Sequence, residues 1–203
     1  NKRFRMDALK SGAVYDRYAN DFAWLIDAAV VLPTYQVSEP KRPLRRTAQE
    51  NKFKLYEADT GLLLSQYAPQ TMLDVIADAP SVNFGSVYEN AVAQALSNEN
   101  PDLFYFCSSR KGEVDFIAQR NDGALVPIEV KSGKDYKLHT ALNNLLGTHD
   151  FEIGEACVLS SANVERRERE GKPIWYLPLY MAFCIAEQTS GTFGSMHLAP
   201  PTF

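Results

Sequence analysis

Apolar and polar positions alternate along this chain in two different rhythms. Over residues 13–29, Val14, Tyr18, Phe22, Leu25, Ile26 and Ala29 recur at helical spacing, which predicts a helix. "VVLPTYQV" (30–37) is strand-like, with Pro33 favouring an edge, and "KFKLYEA" (52–58) alternates as its partner. The Pro-containing stretch 39–50 between them reads as a loop. Residues 69–83 are mixed and bridge two parts, with Pro80 and Ser81 marking a boundary.

From residue 84 the pattern sharpens. Phe84, Val87, Tyr88, Ala91, Val92, Ala95 and Leu96 follow i, i+3, i+4 through three turns, with Glu89 beside that stripe. "LFYFC" (103–107), "EVDFIA" (113–118) and "ALVPIEVK" (124–131) read as three strands. Leu138, Ala141, Leu142, Leu145 and Leu146 form a second helical stripe, and "EACVLS" (155–160) is a fourth strand. "RRERE" (166–170) reads as a charged turn or short helix, and "PIWYLPLYMAFCIA" (173–186) as a last apolar element. The order from 84 is helix, three strands, helix, strand. This is an α/β pattern, and the preceding helix, strand, basic loop and strand have the outline of a winged helix. Two regions are expected, 1–80 and 81–203.

"RNDGA" joins the second and third strands. A three-residue loop with Gly123 in the left-handed position suits a hairpin. Centred on Asp122, it pairs 120 with 124 and 118 with 126, puts Asp115 across from Glu129, and puts Glu113 across from Lys131. Directly opposed carboxylates repel. A divalent cation relieves that, because Mg²⁺ takes one or two carboxylates from a protein. A solvated charged row is the plainer reading of the same residues.

Charge and composition refine this outline. The 203 residues carry a net charge of −4, with 45% hydrophobic and 23% charged residues, an ordinary globular balance. Residues 81–203 are acidic, while Lys41, Arg42, Arg45, Arg46, Lys52 and Lys54 gather in "KRPLRRTAQENKFK". That row is either a solvated loop or a contact for nucleic-acid phosphates. Cys107, Cys157 and Cys184 lack metal-ligand or redox spacing and are expected as buried thiols in a reducing cytoplasm. No apolar run is long enough to span a membrane, and no signal peptide is visible. The chain lacks an initiator Met and reads as part of a longer protein. Asp59 in "EADTGLL" reads as a helix cap. Tyr136 and His139 read as surface residues near the site, Trp175 and Tyr176 as core, and Arg166, Arg167 and Arg169 as a solvated face. His149 and His197 have no partners at ligand spacing.

The helix, three strands, helix, strand order, with Glu89, Asp115 and the Glu129-Val130-Lys131 triplet, resembles the PD-(D/E)XK nuclease superfamily. Val114 stands where that signature has its proline. "KLYEADTGLL", "FGSVYENAVAQAL", "GEVDFIA", "PIEVKSGK" and "IWYLPLYMA" are together similar to the C-terminal region of bacterial and archaeal AAA-type ATPases, a domain of unknown function. The resemblance implies a restriction-endonuclease-like mixed sheet. It also implies metal-dependent hydrolysis of a phosphodiester, in nucleic acid and most readily DNA. Asp115, Glu129, the Val130 carbonyl and Glu89 would hold Mg²⁺ or Mn²⁺, and Lys131 would assist catalysis. It implies an N-terminal ATPase domain as covalent partner. No G-x-x-x-x-G-K-[ST] occurs here, so ATP would bind only in that other domain. The competing expectation is a non-catalytic DNA-binding, regulatory or protein-interaction module of the ATPase.

Overall fold

The computed structural model describes residues 15–79, 82–98 and 102–185. Val14, the Pro80–Ser81 boundary and His197 lie outside these residues. The order is α1 (Tyr15–Asp27), β1 (Val31–Val37), β2 (Ala48–Glu57), α2 (Thr60–Ser65), α3 (Pro69–Ile76), α4 (Gly85–Ser97), β3 (Leu103–Ser108), β4 (Gly112–Val114), β5 (Phe116–Gln119), β6 (Leu125–Val130), α5 (Thr140–Leu146), β7 (Ala156–Ser160), β8 (Glu165–Arg169) and β9 (Lys172–Pro178). A 3₁₀ turn, Leu179–Cys184, closes the described chain. The protein is α/β.

Two mixed sheets form, in the strand orders β2-β1-β3-β4 and β5-β6-β7-β9-β8. They meet in residues 112–119. This one segment pairs with β3 through its first half and with β6 through its second. The β1–β2 hairpin does not stand free. Beyond its antiparallel pairing with β2, β1 runs parallel to β3 from Thr34–Leu103 to Val37–Phe106. The sheet therefore crosses the boundary the sequence suggests near residue 80.

Strict strand alternation divides the core into two layers. Cys157, Leu159, Trp175 and Leu177 pack with Val92, Ala93 and Leu96 of α4 and with Met181, Ala182 and Ile185. Ala156, Val158, Ile174 and Tyr176 point the other way, towards Leu142, Leu145 and Leu146 of α5. Segment 112–119 breaks this rule. Val114 and Ile117 belong to the α5 layer, whereas Phe116 and Ala118 belong to the α4 layer. Alternation slips by one at Asp115, where the chain bends between β4 and β5.

Several local expectations need correction. "RRERE" is strand through Arg169, with only Glu170 in a turn, because β8 takes its backbone partners from β9 and keeps its charges at the sheet's outer edge. Leu138 leaves the α5 stripe and is exposed, since the helix starts only at Thr140. Ala91 is exposed, while Glu89 and Asn90 are buried, so the inward face of α4 is turned towards the polar pair. His139 is buried rather than at the surface, with its Nε2 2.7 Å from the Tyr176 hydroxyl. Asp59 caps α2 as expected, accepting the Leu62 N–H at 3.0 Å. Cys157 and Cys184 are buried thiols, and Cys107 is half-buried. Among the described residues no helix is long and apolar enough to cross a membrane.

Candidate metal and phosphoryl-transfer site

The hairpin that carries the site follows the register expected from its loop. Its ladder pairs Phe116 with Ile128, Ile117 with Pro127, Ala118 with Val126 and Gln119 with Leu125. Gly123 takes φ +84°, and the Asp122 carboxylate accepts the Ala124 N–H at 2.9 Å. The regular ladder stops one pair short of Asp115 and Glu129, because the backbone bends at Asp115. Its side chain takes over, with Oδ2 accepting the Val130 N–H at 2.9 Å. The carboxylate is thereby fixed at the end of β6, directly before Lys131.

The bend also redirects Glu113. Expected opposite Lys131, it pairs instead with Cys107 of β3. Its carboxylate lies 2.7 Å from the ammonium of Lys54. Lys54 is likewise not where the basic row predicts. Only 4% exposed, it is buried and cannot serve as a phosphate contact on the surface. Its Nζ is also 3.7 Å from Asp115 Oδ1 and 3.9 Å from Glu89 Oε2.

Strand parity explains the placement. Lys54 and Tyr56 share one side of β2, and α4 clamps the end of that strand. Asn90 accepts the Glu57 N–H at 2.8 Å and donates to the Glu57 carbonyl at 3.0 Å. Gln94 Oε1 accepts the Thr60 N–H at 2.9 Å. The "KLYEADTG" string thus docks on α4, and the Tyr56 hydroxyl donates to Glu89 Oε2 at 2.9 Å.

On the other side of the cluster, Lys131 Nζ lies 2.8 Å from Glu129 Oε1. Glu129 Oε2 is buried with no hydrogen-bond partner. Glu89, Asp115, Glu129 and Lys131, all chosen from the sequence, therefore do come together. Lys54, Tyr56 and Glu113 join them. The first two were hidden by sequence distance and the third by the assumption of an unbroken strand.

Four carboxylates face two ammonium groups in this mostly buried cluster, an excess of two negative charges if all are ionised. Burial, with the charges of Glu89 and Glu129, pushes the Asp115 carboxyl up to about 7, against the pull of Lys54 and the Val130 N–H. Burial also raises Glu129, although Lys131 opposes it. For Lys54, burial alone would favour the neutral amine, but Asp115, Glu89 and Glu113 outweigh it and hold its pKa above the usual lysine value.

Hard oxygen donors with surplus negative charge and an unpartnered carboxylate oxygen suit a cation such as Mg²⁺ or Mn²⁺. Among the described residues, no three Asp, Glu, His or Cys side chains form a ready-made metal cage. An ion held by one or two carboxylates, with water filling the rest of its shell, is ordinary for Mg²⁺.

The exposed basic row is partly neutralised. Lys41 pairs with Glu39 at 3.0 Å and Arg42 with Glu152 at 3.1 Å, while Arg45 forks onto Asp102. Arg46 is exposed, as is Lys52 in a bulge of β2, where the register slips between Tyr35–Phe53 and Gln36–Gln49. Ser132, Gly133 and Lys134, which follow Lys131 in the chain, line a cleft with Phe84, Tyr88 and Tyr136, and none of the acidic cluster lines it.

No curated protein and no solved structure matches the chain. Residues 84–180, which hold Glu89, Glu113, Asp115, Glu129 and Lys131 but neither Lys54 nor Tyr56, match the family model described as Domain of unknown function (DUF4143).

Proposed function

We propose that the acidic cluster is the metal site of a PD-(D/E)XK-like nuclease core, belonging to the C-terminal part of an AAA-type ATPase. The observation that carries this reading is the charge imbalance. Glu129 is buried and Asp115 half-buried, both are held back from ionisation, and Glu129 Oε2 has no hydrogen-bond partner. A protein retains such a cost most readily where a cation or substrate offsets it.

In this reading Asp115, Glu129 and the Val130 carbonyl would hold Mg²⁺ or Mn²⁺, with Glu89 assisting directly or through water. When bound, the ion supplies a Lewis acid for a phosphoryl oxygen and a more acidic water. The residues of the chain do the rest. The Val130 N–H fixes the Asp115 carboxylate, and Tyr56 fixes Glu89. Glu129 tethers the Lys131 ammonium, which can orient an attacking water and donate to the phosphoryl oxygen as charge develops. The exposed Lys52 sits on β2, the strand that delivers Lys54, and the exposed Arg46 lies in a 3₁₀ turn just before that strand. DNA is the substrate that the resemblance to PD-(D/E)XK nucleases suggests.

The test is cleavage. Full-length protein and residues 1–203 are incubated with plasmid and linear DNA in Mg²⁺ or Mn²⁺, with and without ATP, beside Asp115→Ala and Lys131→Ala. The expected result is metal-dependent cutting that both substitutions abolish. Cutting that survives both, or no cutting under any condition, rejects the nuclease reading and leaves a regulatory or interaction module.

A further inference from the structure

Lys54 stands outside the family-matched segment, yet its ammonium is the meeting point of the acidic cluster. Glu113 Oε1, Asp115 Oδ1 and Glu89 Oε2 surround it at 2.7, 3.7 and 3.9 Å. These three carboxylates, from α4, β4 and the bend between β4 and β5, converge on the ammonium. The side chain is held there. It is 4% exposed, its Nζ sits 5.0 Å from the centroid of the buried Tyr105 ring, and its strand is clamped by Asn90.

We propose that Lys54 is a built-in cation of the acidic site, and that its ammonium competes with a divalent metal ion for Asp115, Glu89 and Glu113. The site then admits one weakly held ion on the Glu129 side, where Oε2 lacks a partner. Repulsion between an ammonium and a divalent ion a few ångströms away weakens binding of the ion, and an uncharged side chain at position 54 removes that repulsion. The β1–β2 hairpin thereby sets the metal affinity of a site whose carboxylates and second ammonium all lie within residues 84–180. This inference rests on the metal-site reading, and the experiment separates the two.

Mn²⁺ binding to the 203-residue chain is measured by calorimetry and by electron paramagnetic resonance for wild type, Lys54→Met and Lys54→Arg, with circular dichroism to check folding. Competition predicts that Lys54→Met binds Mn²⁺ at least tenfold more tightly, while Lys54→Arg stays near wild type. Equal or weaker binding by Lys54→Met overturns the proposal, and weaker binding is what a lysine that merely positions Asp115 would give. If Lys54→Met does not fold, the side-chain ammonium resonances of the wild type decide. One solvent-protected ammonium, identified by its loss in Lys54→Arg, is expected to broaden on addition of Mn²⁺. The absence of such a signal, or its indifference to Mn²⁺, overturns the proposal. Wild type that binds no Mn²⁺ beside Lys54→Met that does would sustain the competition and reject the native metal site. A wild-type site that Lys54→Met leaves unchanged would do the reverse.

Discussion

The β5–β6 hairpin has a buried ionic cluster at each end, and the two clusters differ in how their charges balance. At the loop end, Arg120 meets Glu155 and Asp122. Both oxygens of Glu155 are engaged, one by the Arg120 guanidinium and the other by the Trp175 indole N–H at 2.9 Å. At the open end, Lys54 and Lys131 face Glu89, Glu113, Asp115 and Glu129, and one oxygen of Glu129 has no partner. Burial of charge is common to both. The buried Arg120–Glu155 pair balances one charge against one, with Asp122 exposed beside it, whereas the open end sets four carboxylates against two ammonium groups, and the proposed metal site rests on that difference.

This contrast predicts opposite signs for removing an acid. Glu155→Ala strands the guanidinium of Arg120 inside the protein and unpairs Trp175. It is expected to destabilise the chain by about 3–5 kcal/mol in urea unfolding at pH 7.5. Asp115→Asn removes surplus charge while keeping an acceptor for the Val130 N–H. It is expected to stabilise the metal-free protein by about 1 kcal/mol or more at the same pH. If both substitutions destabilised equally, the two clusters would be alike and the contrast would collapse.

The pH dependence sharpens the same point. An acid whose folded pKa is raised to about 7 holds its proton in the folded state where the unfolded chain has already lost it. Asp115 therefore contributes a loss of stability as pH rises from about 4 to about 7, and Glu129 acts in the same direction. The stability gap between Asp115→Asn and wild type is expected to be small at pH 5 and widest above pH 7. A gap independent of pH would mean that Asp115 ionises normally.

The weakest expected effect lies on the surface. Arg45 is largely exposed where it forks onto Asp102, so Arg45→Ala should cost less than about 1 kcal/mol, an effect that shrinks further in salt. A larger loss would show that the basic row is part of the framework.

Much of the open-end cluster was legible in the sequence because the signals were local. Asn121-Asp122-Gly123 fixes the hairpin register, and parity then brings Glu129 and Lys131 together. Helical spacing on α4 puts Glu89 near the buried side. What stayed hidden depends on non-local pairing. No pattern near Lys54 announces that β1 will lie parallel to β3, yet that pairing brings β2 and its lysine to the acids. The bend at Asp115 was equally unreadable. It lets one segment serve two sheets, and it sends Glu113 to Lys54 instead of Lys131. The Arg120–Glu155 pair escaped for the same reason, since its partners meet only when β5, β7 and β9 are assembled.

The claim that the open-end cluster is a metal site is tested most directly by Mn²⁺ calorimetry on wild type, Asp115→Asn and Glu129→Gln, with no nucleic acid present. The account predicts one ion per wild-type chain and binding at least tenfold weaker in both variants. No binding by wild type, or equal binding by all three proteins, would contradict it.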